Sequence, residues 1–113
     1  MVRVSILYPN EKGSWFDMAY YVEKHMPQSI DLLSAHPGFK EVSVEKGLAG
    51  AAPDSEPAYV AVCHFLFEST EAFMAAFLPH AAELQGDMPN YTDVTPVIQV
   101  NEVLISKFRP TIV

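Results

Sequence analysis

Apolar positions along this chain follow two periods that alternate in a fixed order. Val2 to Tyr8 is rich in β-branched and apolar residues and is closed by Pro9, Asn10 and Gly13, which predicts a first strand. From Ser14 to Ala35 the period becomes helical, with Ala19, Val22, Met26, Ile30 and Leu33 forming one stripe until His36, Pro37 and Gly38 end it. Phe39 to Lys46 alternates, with Val42 and Val44 opposed to Glu41, Ser43 and Glu45, as a half-exposed second strand does. The segment GLAGAAPDSEP is a loop of small residues, glycine and proline. Ala58 to Phe67 has Val60, Val62 and Leu66 on one face and Tyr59, Cys63, Phe65 and Phe67 on the other, a strand that must be covered on both sides. Ser69 can cap a second helix, whose Phe73, Phe77, Ala81 and Leu84 stripe runs to Gly86. After the polar loop DMPNYTDVTP, Val97 to Ser106 forms the last strand.

The order β-α-β-β-α-β, with a proline inside each helix at Pro27 and Pro79, predicts an α+β fold. The arrangement is the ferredoxin-like split βαβ, an antiparallel four-stranded sheet in one domain over residues 1–113. Two helices cover only one face of such a sheet. The other apolar face, including that of the third strand and Ile98, Val100, Leu104 or their neighbours on the fourth, needs a second surface. A second copy of the chain, giving a homodimer with a closed β-core, is the expected cover, and the short tail FRPTIV is the alternative.

Half of the 113 residues are apolar, enough for one core and too few for two domains. Seven Lys and Arg against fourteen Asp and Glu leave a net charge of −7, which opposes binding to nucleic acid or to anionic membrane. The lone Cys63 can form no internal disulfide and fits a reducing compartment. MVRVSILYP lacks the build of a secretory signal and no apolar run approaches the ~20 residues of a bilayer span, so a cytoplasmic protein is expected.

Candidate chemistry centres on FDMAYYVEKHMP. Pro27 gives no amide to the carbonyl of Glu23, so the helix should kink there. At 3.6 residues per turn His25 falls on a shoulder beside Met18, Tyr21 and Leu32, a quarter turn from the core stripe. Two roles are open to it: an acid or base tuned by a tyrosine one turn away, or a structural plug hydrogen-bonded to the freed carbonyl. Tyr8, Phe16, Tyr20, Tyr59, Phe65, Phe67 and Tyr91 can line a pocket or simply pack, and Asn90, Gln99 and Asn101 can orient a ligand or bond to backbone. His80 and Glu83 lack the further partners of a metal site, and no nucleotide-binding or nucleophile-elbow pattern occurs. No metal and no cofactor is expected.

The run FDMAYYVEKHMP after a strand ending LYP, the GLAG segment, the strand PAYVAVCHFLFES and the closing DMPNYTDVTPVIQVNEV resemble the EthD family, first associated with ethyl tert-butyl ether degradation. The resemblance spans essentially the whole chain. It implies a dimeric α+β barrel, a superfamily shared with cofactor-free antibiotic monooxygenases, muconolactone isomerases, polyketide cyclases and some haem-acting proteins. It also implies a pocket between helices and sheet. Residue by residue it carries over His25 with Tyr20 and Tyr21 from the first helix, and Asn90, Tyr91 and Gln99 from the late loop and strand. Three functions follow as expectations. The first is cofactor-free isomerisation, cyclisation or dehydration of an apolar carbonyl compound in a catabolic or tailoring pathway. There His25 would move the proton, Tyr21 or Tyr91 would stabilise the oxyanion, and Tyr8, Phe16, Tyr20, Tyr59, Phe67, Asn90 and Gln99 would hold the substrate. The second is a noncatalytic carrier that binds a hydrophobic intermediate for a partner oxidase. The third is haem binding through His25, His64 or His80.

Overall fold

A computed structural model describes residues 1–110. Strands β1 (Val2–Pro9), β2 (Phe39–Lys46), β3 (Tyr59–Phe67) and β4 (Val97–Glu102) pair in the order β2-β3-β1-β4, every pair antiparallel. Helices α1 (Met18–Tyr20) and α2 (Met26–Ser34) are separated by a π-helical turn at Tyr21–His25. Helices α3 (Thr70–Phe77) and α4 (Ala81–Gly86) are separated by a 3₁₀ turn at Leu78–His80. Both helical stretches lie against one face of the sheet, the α+β ferredoxin-like plan that the pattern predicts.

Each interruption coincides with a proline. Pro79 sits in the 3₁₀ turn, and Pro27 is the second residue of α2, just beyond the π turn in which the Met26 amide donates to Tyr21 O, five residues back. A π turn carries one residue more than an α turn, so it rotates everything before it relative to everything after it. The buried positions of this stretch therefore run Tyr21, His25, Ser29 and Leu33, joined by Met26. Ala19 and Val22, expected on the inward stripe, are exposed. The helix also starts later than expected, because Asp17 caps it by accepting from the Tyr20 amide at 3.0 Å. Ser69 caps α3 in the same way, accepting from the Ala72 amide at 3.1 Å.

Register settles the two faces of the sheet. Val4, Ile6 and Tyr8 of β1 lie opposite Phe65, Cys63 and Ala61 of β3, and Val4 and Ile6 also lie opposite Val100 and Ile98 of β4. These residues share the helix-facing side. Val4, Ala61, Cys63, Phe65 and Phe67 are fully or nearly fully buried there, and Phe67 meets Phe73 edge-on. Cys63 is inside this core, where burial pushes its thiol up to about 12. Native protein is therefore expected to resist iodoacetamide at neutral pH and to be labelled only on unfolding, as intact mass will show.

The outer face is more mixed than the expected second apolar face. Leu7, Val62, Leu66 and Val97 lie on it, but so do Arg3, Ser5, Glu41, Ser43, Glu45, His64, Gln99 and Asn101. His64 Nδ1 is 2.8 Å from Ser5 Oγ, and its Nε2 is 3.5 Å from Glu45. Ile98 and Val100 belong to the helix side, yet on the edge strand β4 both stay about half exposed, at 54% and 44%. Strand β4 is shorter than predicted, and Leu104, Ile105 and Phe108 beyond it are exposed. The described part of the tail does not fold over the sheet; the end of FRPTIV, residues 111–113, lies outside the described residues.

Candidate active site

Between the helices and the sheet lies a cavity of about 350 Å³. Ile6, Leu33, Phe65, Phe73, Phe77, Leu84, Met88 and Ile98 make its apolar walls, and Tyr8, Tyr21, His25, Ser29, Gln85, Tyr91 and Thr95 are its polar lining residues. Its volume is at the lower end of the range for small-molecule sites, and its mostly apolar lining with a few polar groups is typical of them.

The π turn places His25 on this cavity, nearly buried rather than on a half-exposed shoulder. Its partner comes from the other end of the chain. His25 Nδ1 lies 2.9 Å from Asp87 Oδ2, and Asp87 Oδ1 accepts from the Tyr20 hydroxyl at 2.7 Å and from Asn90 Nδ2 at 2.9 Å. Burial alone would raise the Asp87 carboxyl, but hydrogen bonds from Tyr20, Asn90 and His25 outweigh it and hold that carboxyl below its ordinary value. The carboxylate can only accept, so it keeps the proton on Nδ1 and leaves Nε2 as the acceptor facing the site. The histidine is thus not the plug of a kinked helix, since its ring nitrogens engage a carboxylate and a phenol.

That phenol is Tyr91, whose hydroxyl lies 3.4 Å from Nε2 and 2.6 Å from the Tyr8 hydroxyl. A chain of contacts thus runs from Asp87 through His25 and Tyr91 to Tyr8. Four contacts hold the late loop in place: the Asp17 amide donates to Tyr91 O at 2.7 Å, the Trp15 amide to Asp93 at 3.0 Å, Thr92 Oγ1 to Trp15 O at 2.9 Å, and Phe16 pairs with Thr92 as an isolated bridge. The rings of Tyr8, Phe16, Tyr20, Tyr21 and His25 surround Tyr91 at centroid distances of 4.6 to 6.3 Å. Close ring packing of this kind fixes the phenol without help from flexible side chains.

Tyr21 is different. It lines the cavity and is only 1% exposed, yet its hydroxyl is a buried side-chain group without a hydrogen-bond partner among the described residues. An unmet buried hydroxyl destabilises a fold by ~1–3 kcal/mol. Tyr21→Phe is therefore expected to be as stable as the parent or up to ~1 kcal/mol more stable, raising Tm by a few degrees in a thermal melt. A clear drop in Tm would mean that the hydroxyl is bonded in solution.

The other expected site residues are placed as follows. Tyr20 and Asn90 stand behind the histidine as partners of Asp87 rather than on the cavity. Phe16 buttresses Tyr8, Tyr21 and Tyr91. Phe67 lies in the core beside Phe39 and Phe73, and Tyr59 is half-buried at the start of β3, neither on the cavity. Gln99 is on the outer face opposite Ser5, donating to Asn101, so the sheet itself separates it from the cavity. Of the three histidines considered for a haem, His25 lines the cavity with Nδ1 taken by Asp87 and Nε2 near Tyr91, His64 is on the outer face, and His80 is not on the cavity. The described residues hold no group of three or more His, Cys, Asp or Glu able to hold a metal ion. Asp87 is the residue that sequence reasoning passed over; its place at the head of DMPNYTDVTP was its only local mark.

The model of the EthD domain matches residues 16–95 of the chain. An EthD-like protein of Ralstonia eutropha JMP134 has a solved structure that is 43% identical, covers 94% of both chains and superposes with a TM-score of 0.86. An ethyl tert-butyl ether degradation (EthD) family protein of Bacillus halodurans C-125 is 17% identical over 92% of this chain and 99% of its own, with a TM-score of 0.61. SnoaB, a cofactor-independent oxygenase from Streptomyces nogalater, shares the fold at 17% identity over 93% of each chain, with a TM-score of 0.57. No match was found among curated proteins. With the family's domain spanning both halves of the cavity, from the helix that carries His25 to the loop that carries Asp87 and Tyr91, this chain belongs to the EthD family.

Proposed function

We propose that the chain binds a small apolar carbonyl compound in this cavity and moves a proton on it without a bound cofactor, with His25 as the base. One observation carries the reading: the 2.9 Å contact between His25 Nδ1 and an Asp87 carboxylate outside an otherwise apolar cavity onto which the imidazole faces. In that arrangement Nε2 takes a proton from the carbon next to the carbonyl, the electron pair moves onto the oxygen, and the imidazolium formed is stabilised by Asp87. Return of the proton at another carbon is isomerisation; capture of the enolate by a second carbonyl is cyclisation; loss of a β-hydroxyl is dehydration. The apolar lining supports any of these in a catabolic or tailoring pathway, where the intermediates are greasy. Proton exchange itself provides the test: in D2O the protein should accelerate loss of the α-proton NMR signals of an apolar ketone such as 2-tetralone. A parent protein that leaves that exchange unchanged removes the reading and favours a carrier that hands its ligand to a partner oxidase.

A homodimer through the outer sheet face belongs to the same reading. Leu7, Val62 and Leu66 are only half-buried in the single chain and Val97 is 46% exposed, while Ser5, His64 and Asn101 already bond one another and can be covered at little cost. Sedimentation equilibrium at micromolar concentration is expected to return twice the chain mass, and a monomer would remove this part of the proposal.

A further inference from the structure

Tyr8, Tyr21, His25 and Tyr91 meet at one place on the cavity, Ser29, Gln85 and Thr95 are its other polar lining residues, and the lining contains no Asp, Glu, Lys or Arg. A carboxylate, phosphate or ammonium ligand would lose its water there without gaining a full counter-charge, which disfavours it. A neutral molecule with an apolar body and one polar head fits. The head must satisfy two demands. His25 Nε2, with its ring proton held on Nδ1 by Asp87, accepts a proton; the Tyr21 hydroxyl, buried without a partner, has a proton to give.

Resting on His25 as base, we propose that the cavity takes a neutral phenol or enolisable ketone and holds its oxygen, as the anion, between the hydroxyls of Tyr21 and Tyr8. The ligand's O–H bond, or the C–H bond next to its carbonyl, breaks. The proton goes to Nε2, and the electron pair ends on the ligand oxygen. No co-reactant is required, and charge is conserved as imidazolium and phenolate or enolate. Tyr8 is available as the second donor because Tyr91 can donate to it across their 2.6 Å contact, leaving the Tyr8 proton for the ligand. The 3.4 Å contact of Tyr91 with Nε2 is the long one in the chain, so a ligand proton displaces it readily. Burial raises the Tyr8 phenol to about 12 and raises Tyr21 and Tyr91 as well, which keeps all three as donors rather than rival bases.

The probes are 2-naphthol and naphthalene, which share an apolar body and differ by the hydroxyl. Binding is measured by absorption titration at a pH where free naphthol is un-ionised. With the parent protein, naphthol is expected to bind at least ~10-fold more tightly than naphthalene and to show the absorption band of naphtholate, the gain of a charge-assisted hydrogen bond. Tyr21→Phe, which keeps the ring and the packing, should lose about that factor for naphthol and none for naphthalene. Equal affinity of the two probes for the parent, no binding of either, or an unchanged preference and band in Tyr21→Phe would each overturn the anion site. Failure of the underlying reading looks different. If His25 is not the base, His25→Ala retains the naphtholate band; if only the hydroxyl pair is wrong, His25→Ala removes the band while Tyr21→Phe keeps it.

Discussion

His25→Ala is expected to slow protein-dependent α-proton exchange of 2-tetralone by ~10²–10⁴-fold, the usual contribution of a positioned general base. The loss should fall on the rate rather than on binding. The apolar walls, which hold most of the ligand's surface, are untouched, while the one acceptor able to take the proton is gone. Progress curves followed by NMR at several ketone concentrations separate the two effects. Circular dichroism should confirm that the fold persists, because the substitution removes a side chain at the edge of a cavity rather than a part of the Phe65–Phe67–Phe73 core. An alanine variant that exchanges protons as fast as the parent would refute the assignment of the base.

Asp87→Asn should reduce the same exchange by ~10²–10⁴-fold, although the residue never touches the cavity. The reason is the tautomer. A carboxylate only accepts, so it holds the proton on Nδ1; an amide in the same place can turn its NH2 toward Nδ1, which drives the proton to Nε2 and presents the cavity with a donor instead of a base. Tyr20 and Asn90 aim their donors at Asp87 Oδ1, so an amide must either present its oxygen to them, turning its NH2 to His25, or lose their bonds. If both residues act as one unit, the double variant His25→Ala, Asp87→Asn should be no slower than His25→Ala alone. Acid sharpens the case. Because the folded state holds the Asp87 carboxyl below its ordinary value, the ionised group contributes stability above about pH 4 that is lost as pH falls through the depressed value. Denaturant melts should therefore show the parent losing ground to Asp87→Asn only on acidification below that point. A stability difference that is flat down to strongly acidic pH would mean that the hydrogen bonds do not favour the ionised form.

Local pattern made the elements legible. Strand periods, the cap at Ser69, the stops around Pro37 and Gly38 and the order β-α-β-β-α-β depend on residues close in sequence, and so does the placing of a kink at Pro27. The same locality explains the errors. A constant helical period put Val22 inward and His25 on a shoulder, whereas a π turn at Tyr21–His25 adds a residue and turns the imidazole into the cavity. Alternation along β4 was visible, but which of Gln99 and Ile98 faces the helices depends on the pairing of Gln99 with Ser5 and of Ile98 with Ile6, on a strand nearly the whole chain away.

The family motifs brought His25, Tyr21 and Tyr91 forward as candidates, yet the contacts that bring them together are contained in no motif. Asp87 meets His25 across a sequence gap of 62 residues, and Tyr8 meets Tyr91 across 83. The chain by itself determined its fold class, the helix cap at Ser69 and a short list of candidate side chains, because backbone preference and burial pattern act over a few residues. Only the tertiary structure decided which nitrogen of His25 meets Asp87 and which faces the cavity, which tyrosine hydroxyl is left without a partner among the described residues, and which polar residues lie behind the sheet. Those properties depend on distances of about 3 Å between groups that are brought together by the closing of the fold.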